Sequence, residues 1–95
     1  MVKFIKGQMS QEELLAQLAE EAVELSHAAL KLRRAHSKSN PTPIPLGEAY
    51  AHLKEEVADV QLLLKVLGMD RHQAEYDLIG KLKLERWANR LRGRG

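Results

Sequence analysis

Two acidic stretches carry the residues best suited to chemistry, EEAVE at residues 20–24 and EEVAD at residues 55–59. On helices, Glu21 and Glu24 lie three residues apart, as do Glu56 and Asp59, so each pair projects from one helix face. A surface acid on a helix ordinarily has a Lys or Arg within one turn. Glu20, Glu21, Glu24, Glu55, Glu56 and Asp59 have none at offsets of three or four. Carboxylates gathered without a cation repel one another, and burial either raises their pKa or costs roughly several kcal/mol. A divalent metal resolves that conflict. The donors are all carboxylate oxygens and the chain has no Cys, which suits Mg²⁺, with Mn²⁺ as a substitute, and argues against a structural zinc site. Mg²⁺ held by a few carboxylates usually also binds phosphate.

The elements that must position these acids can be read from apolar periodicity. At about 100° per residue, Leu14, Leu18, Leu25 and Leu32 form one stripe, and Glu21 falls roughly 20° to 50° from its centre with Glu24 at its flank. Leu53, Val57, Val60, Leu64 and Leu67 form a second stripe, with Glu56 inside it and Asp59 beside it. Ser10 with Glu13 three residues later predicts a capping box that opens a first helix over about residues 11–35. Residues 36–46 hold all three prolines and predict a connector. A second helix is expected over about residues 47–67, closed by Gly68 in a left-handed conformation. Asp70 with Gln73 predicts another cap, opening a third helix over about residues 71–91. Residues 1–9 are an apolar and basic lead-in that either covers the bundle or stays loose, and the tail RGRG is expected to fray.

Cations collect at residues 31–38, where Lys31, Arg33, Arg34 and Lys38 favour a helix C-terminus or flank phosphates, and again from Lys81 onward. On the third helix the face set by His72, Ile79 and Leu82 continues into Lys83, Arg86 and Arg90, with Trp87 expected in packing or at a subunit contact. ELSH at residues 24–27 has Glu-x-x-His spacing, but a second copy is missing and His27 points away from the stripe that holds Glu21. There is no glycine-rich phosphate loop and no nucleophile elbow.

At 95 residues, 44% hydrophobic and only 4% aromatic, the chain reads as one all-α domain near the size at which helices rely on oligomerisation to bury their apolar faces. No apolar run approaches membrane-spanning length and no secretion-signal core stands at the N-terminus, so the expectation is a cytoplasmic protein without membrane contact. Absence of Cys fits a reducing compartment. A net charge of +2 is too small to argue for nucleic acid as a partner.

QLAEEAVELSHAALKLRR, followed by EEVADVQLLLKVLGM and then KLKLERWANRL, resembles the MazG-like all-α nucleoside triphosphate pyrophosphohydrolases over roughly residues 14–91. That family's signature is EExxE, a gap, then ExxD, and Glu20, Glu21, Glu24, Glu56 and Asp59 occupy those places in order. The resemblance implies that residues 1–95 form one MazG-like domain, and that Glu21, Glu24, Glu56 and Asp59 hold Mg²⁺. It further implies that Glu20 orients or deprotonates the attacking water and that Lys83 and Arg86 approach the triphosphate, from a neighbouring helix or subunit. Gln17, one turn before Glu21, is within reach of the nucleotide. The implied reaction converts a nucleoside or deoxynucleoside triphosphate to monophosphate and pyrophosphate in a homodimer or homotetramer. The alternative is a non-catalytic helical module that binds a nucleotide or a partner protein.

Overall fold

A computed structural model describes residues 1–37 and 44–93. Lys38, two of the three connector prolines and the end of the RGRG tail lie outside the described residues. The described chain is all-helical: α1 (Val2–Gln8), α2 (Gln11–His36), α3 (Leu46–Val66), a 3₁₀ turn (Met69–His72) and α4 (Gln73–Arg92). No described helix is long and apolar enough to cross a membrane.

The lead-in is a helix of its own, packed on α3. After α1 the chain turns at Met9 and Ser10, and α2 opens with the expected reciprocal cap. The Glu13 backbone N–H donates to Ser10 Oγ at 3.1 Å, and the Ser10 N–H donates to a Glu13 carboxylate oxygen at 3.0 Å. These bonds satisfy two backbone donors that a bare helix start leaves free. They also hold the Glu13 carboxyl below its ordinary pKa, the Ser10 backbone bond contributing most.

Helices α2 and α3 form the body of the molecule. They run antiparallel: Gln17 and Glu21 of α2 share a concavity with Leu63, Leu62 and Asp59 of α3, later residues of one facing earlier residues of the other. Leu14, Ala28, Ala49 and Val66 are buried, the two alanines completely. Leu18, Leu25 and Leu32 of the first stripe, and Leu53, Val60, Leu64 and Leu67 of the second, are half-buried along the same seam. Val57 is exposed and lies at the seam's margin. Alanine leaves room for two backbones to approach, so the connector end of the hairpin is closed by methyl groups and the other end by Leu14 and Val66.

Two sequence expectations need correction. Asp70 does not cap the last helix. Gly68 adopts φ 76°, as expected of a left-handed terminator, but the chain then enters a 3₁₀ turn that contains Asp70, and α4 starts at Gln73 without a side-chain cap. Gln73 reaches forward instead, its Nε2 donating to Asp77 Oδ1 at 2.8 Å, while the Tyr76 hydroxyl donates to the Met69 carbonyl and ties the turn to α4.

The second correction concerns the face of α4 set by His72, Ile79 and Leu82, which is not interior: α4 has no buried residue, and Ile79, Leu82 and Trp87 are 48%, 51% and 57% exposed. Beyond its first turn α4 leaves the α2–α3 pair, and the 3₁₀ turn is the element it packs against closely. The radius of gyration, 17.4 Å, reflects this. A compact chain of this length has about 12 Å.

Because the Ala28 side chain is fully enclosed between helices, Ala28→Leu overpacks the seam. Urea denaturation at fixed protein concentration is expected to show a loss of about 1–3 kcal/mol. An unchanged midpoint would mean that the two helices are not in close contact there.

Candidate metal centre

Glu21 of α2 and Glu56 and Asp59 of α3 converge, with one carboxylate oxygen from each lying within 4.8 Å of the others. The helical repeat explains how. Glu21 takes a place in the apolar stripe of α2, Glu56 does the same in α3, and Asp59 follows Glu56 by one turn at the seam's edge. Glu21 and Glu56 are half-buried and Asp59 is exposed. Beside them Gln17, Glu21, Asp59, Leu62 and Leu63 line a concavity of about 240 Å³. Among the described residues no Lys or Arg is ion-paired with these acids.

Two neighbours hold the carboxylates in place. Gln17 Nε2 donates to Glu21 Oε1 at 3.2 Å. His52, one turn before Glu56, brings Nε2 to 3.3 Å from Glu56 Oε1, and the Glu56 side chain is only 12% exposed. Glu56 Oε2 and His52 Nδ1 are buried without a hydrogen-bond partner. Loss of hydration pushes the Glu56 pKa up, and the charges of Asp59 and Glu21 push it further; His52 pulls it down and Glu24 adds a smaller upward push. A buried carboxylate oxygen with no donor, among like charges, is an atom that a cation would satisfy. The all-oxygen donor set of Glu21, Glu56 and Asp59 fits a hard divalent ion.

The other expected residues stand apart from this group. Glu24 is exposed and outside the cluster of three, near enough only to act on Glu56 through its charge. Glu20 is exposed on α2. Lys83 and Arg86 lie on α4, where they line an open groove of about 690 Å³ with Trp87, Asn89 and Arg90, and the single chain does not bring them to the acids. His27 is exposed. His52 is not among the residues that the acidic motifs or the Glu-x-x-His spacing single out in the sequence. Its i,i+4 relation to Glu56 was the available signal. Leu62 and Leu63, the apolar wall of the concavity, carry no sequence signal that separates them from ordinary core leucines. No family model, curated protein or solved structure matches this chain.

The raised Glu56 pKa has a definite sign in the metal-free protein. Between the unfolded and the folded pKa the folded chain keeps a proton that the unfolded chain releases, so stability is fully present below the ordinary carboxylate range and is lost as pH rises through the folded value. With a chelator present, the melting temperature of wild type is expected to fall relative to Glu56→Gln as pH goes from about 4 to about 7. Parallel melting curves across that range would show that the acids do not repel one another in the folded chain.

Proposed function

We propose that this chain is a divalent-cation-dependent hydrolase of the MazG-like type, converting nucleoside or deoxynucleoside triphosphates to the monophosphate and pyrophosphate. The observation that carries the reading is the meeting of Glu21, Glu56 and Asp59 from two helices at one spot with no Lys or Arg among them. These three residues would hold Mg²⁺ or Mn²⁺, with Glu24 within charge range to complete the set. When bound, the cation supplies neutralising charge and Lewis acidity at the phosphate oxygens.

The chain's own residues do the rest. Gln17 keeps the Glu21 carboxylate oriented, and His52 does the same for Glu56. Leu62 and Leu63 make one wall of the concavity apolar. Glu20 takes the proton of the attacking water as its oxygen bonds to the α-phosphorus. The bridging α–β P–O bond breaks, and pyrophosphate leaves with the electron pair. Lys83 and Arg86 hold the departing pyrophosphate by charge-assisted hydrogen bonds. Because α4 of the same chain stands away from the acids, this role calls for a homodimer or homotetramer, and a nucleoside triphosphate substrate fits a cytoplasmic protein.

A second reading, a non-catalytic helical module, draws on the exposed Leu84 and Trp87 of α4, which a partner protein could cover. Pyrophosphate release from a panel of canonical triphosphates with Mg²⁺ separates the two. Glu21→Gln and Asp59→Asn are each expected to lower turnover by about 100-fold or more and to abolish Mn²⁺ binding in calorimetry. Wild type that binds Mn²⁺ but cleaves no triphosphate supports the binding module; turnover untouched by both substitutions removes the acids from the chemistry.

A further inference from the structure

Lys83, Arg86 and Arg90 form a row of cations on α4. At about 100° per residue they fall within roughly 60° of one another. No acid stands three or four residues from any of them. Glu85, the one acid in the second half of the helix, points roughly 130° away from the row. All three cations are exposed, and among the described residues none forms an ion pair or a hydrogen bond. Like charges at these offsets destabilise a helix, so an anion from outside relieves the row. Folding back does not supply one. Since α2 and α3 are antiparallel, α4 laid against them as a third rod runs parallel to α2, and its cationic half falls toward Lys31, Arg33 and Arg34.

The shape of the site narrows the choice of anion. From Lys83 to Arg90 the row runs about 10 Å along the rod at 1.5 Å per residue. With Trp87 and Asn89 these cations line the open groove of about 690 Å³. A compact phosphate cluster is held best by donors that converge on it, such as free backbone N–H groups at a helix N-terminus. This half of α4 ends in a C-terminus instead. Charges strung along a line suit a linear polyanion. Trp87 stands between Lys83 and Arg90 along the axis, about 70° round from the row, and is 57% exposed. A cationic groove with an exposed indole beside it is the arrangement that takes single-stranded nucleic acid, phosphates on the cations and a base on the ring. A duplex keeps its bases stacked and offers none to Trp87. An anionic bilayer calls for a wide apolar face, whereas the exposed Leu82 and Leu91 project from opposite sides of α4.

We propose that the second half of α4 binds single-stranded nucleic acid, with backbone phosphates along Lys83, Arg86 and Arg90 and one base stacked on Trp87. The net charge of +2 conceals this capacity because most of the acids are gathered on α2 and α3, from which α4 departs. The contact needs no divalent cation and does not rest on the hydrolase reading. That reading gives Lys83 and Arg86 to the pyrophosphate, so a bound strand and a triphosphate would compete for them.

Trp87 is the single tryptophan, so its emission reports the stacking directly. An oligothymidylate of about 12 nucleotides, titrated in the presence of a chelator, is expected to quench it. Three phosphate contacts on a single strand give log K against log salt a slope of about −2, so affinity falls about 20-fold between about 50 and about 200 mM salt. Arg86→Gln and Arg90→Gln should each flatten that slope by about 0.7. Trp87→Ala, followed by the anisotropy of a labelled strand, should weaken binding about fivefold or more, and Trp87→Phe should restore most of that loss because it keeps an aromatic face. These positions are exposed, and circular dichroism checks that each variant stays helical. Should a variant unfold, quenching and the salt slope of wild type decide. No quenching at low salt, quenching that requires Mg²⁺, or a duplex bound as tightly as the strand would overturn the proposal. So would Trp87 emission that shifts to the blue on phosphatidylglycerol vesicles but ignores the strand, or tripolyphosphate bound more tightly than the strand at equal phosphate concentration. Turnover enters none of these measurements: a strand-binding protein that cleaves no triphosphate refutes the hydrolase reading alone, and an active hydrolase that binds no strand refutes this proposal alone.

Discussion

The repulsion among Glu21, Glu56 and Asp59 is the constraint around which this chain is arranged. Packing α2 against α3 drives their apolar stripes together, and two of the acids sit inside those stripes, so the interaction that folds the hairpin also forces like charges into proximity. The hairpin is held at both ends by small or well-packed apolar contacts, Leu14 and Val66 on one side and Ala28 and Ala49 on the other, and the acids lie between. Gln17 and His52 each steady one carboxylate, yet a buried oxygen of Glu56 is left with no donor. Structural economy alone would have placed leucine at these positions.

Helix α4 poses the complementary problem. Cations that would relieve the acids are in the chain, but they are strung along a helix whose own hairpin would hold it in the wrong direction. An up-down-up bundle aligns the cationic end of α4 with the cationic end of α2. The chain keeps its two charge-ordered helices apart, and α4 extends from the 3₁₀ turn with an apolar seam and a basic flank both exposed. The result is an expanded molecule with an uncovered rod.

Local chemistry made several features legible before any fold was known. Ser10 and Glu13 specify a cap through atoms three residues apart, and Gly68 specifies a left-handed turn because other residues resist that φ. The helical repeat alone put Glu21 and Glu56 on apolar faces. Where two local signals competed, sequence reading failed: Asp70 and Gln73 have capping-box spacing, but the turn set by Gly68 shifts the start of α4 past Asp70, and Gln73 bonds to Asp77 instead.

Sequence by itself determined the all-α class, the first cap, the Gly68 terminator and the faces on which the acids lie, because each depends on residues within one or two turns of one another. Only the tertiary structure decided that Glu21 meets Glu56 and Asp59 while Glu24 stays outside, that His52 partners Glu56, and that α4 stands free. Those outcomes depend on the relative rotation and direction of separate helices. Rotation is fixed by which side chains interlock across a seam, Ala28 and Ala49 above all, and the period of one helix carries no information about the phase of another.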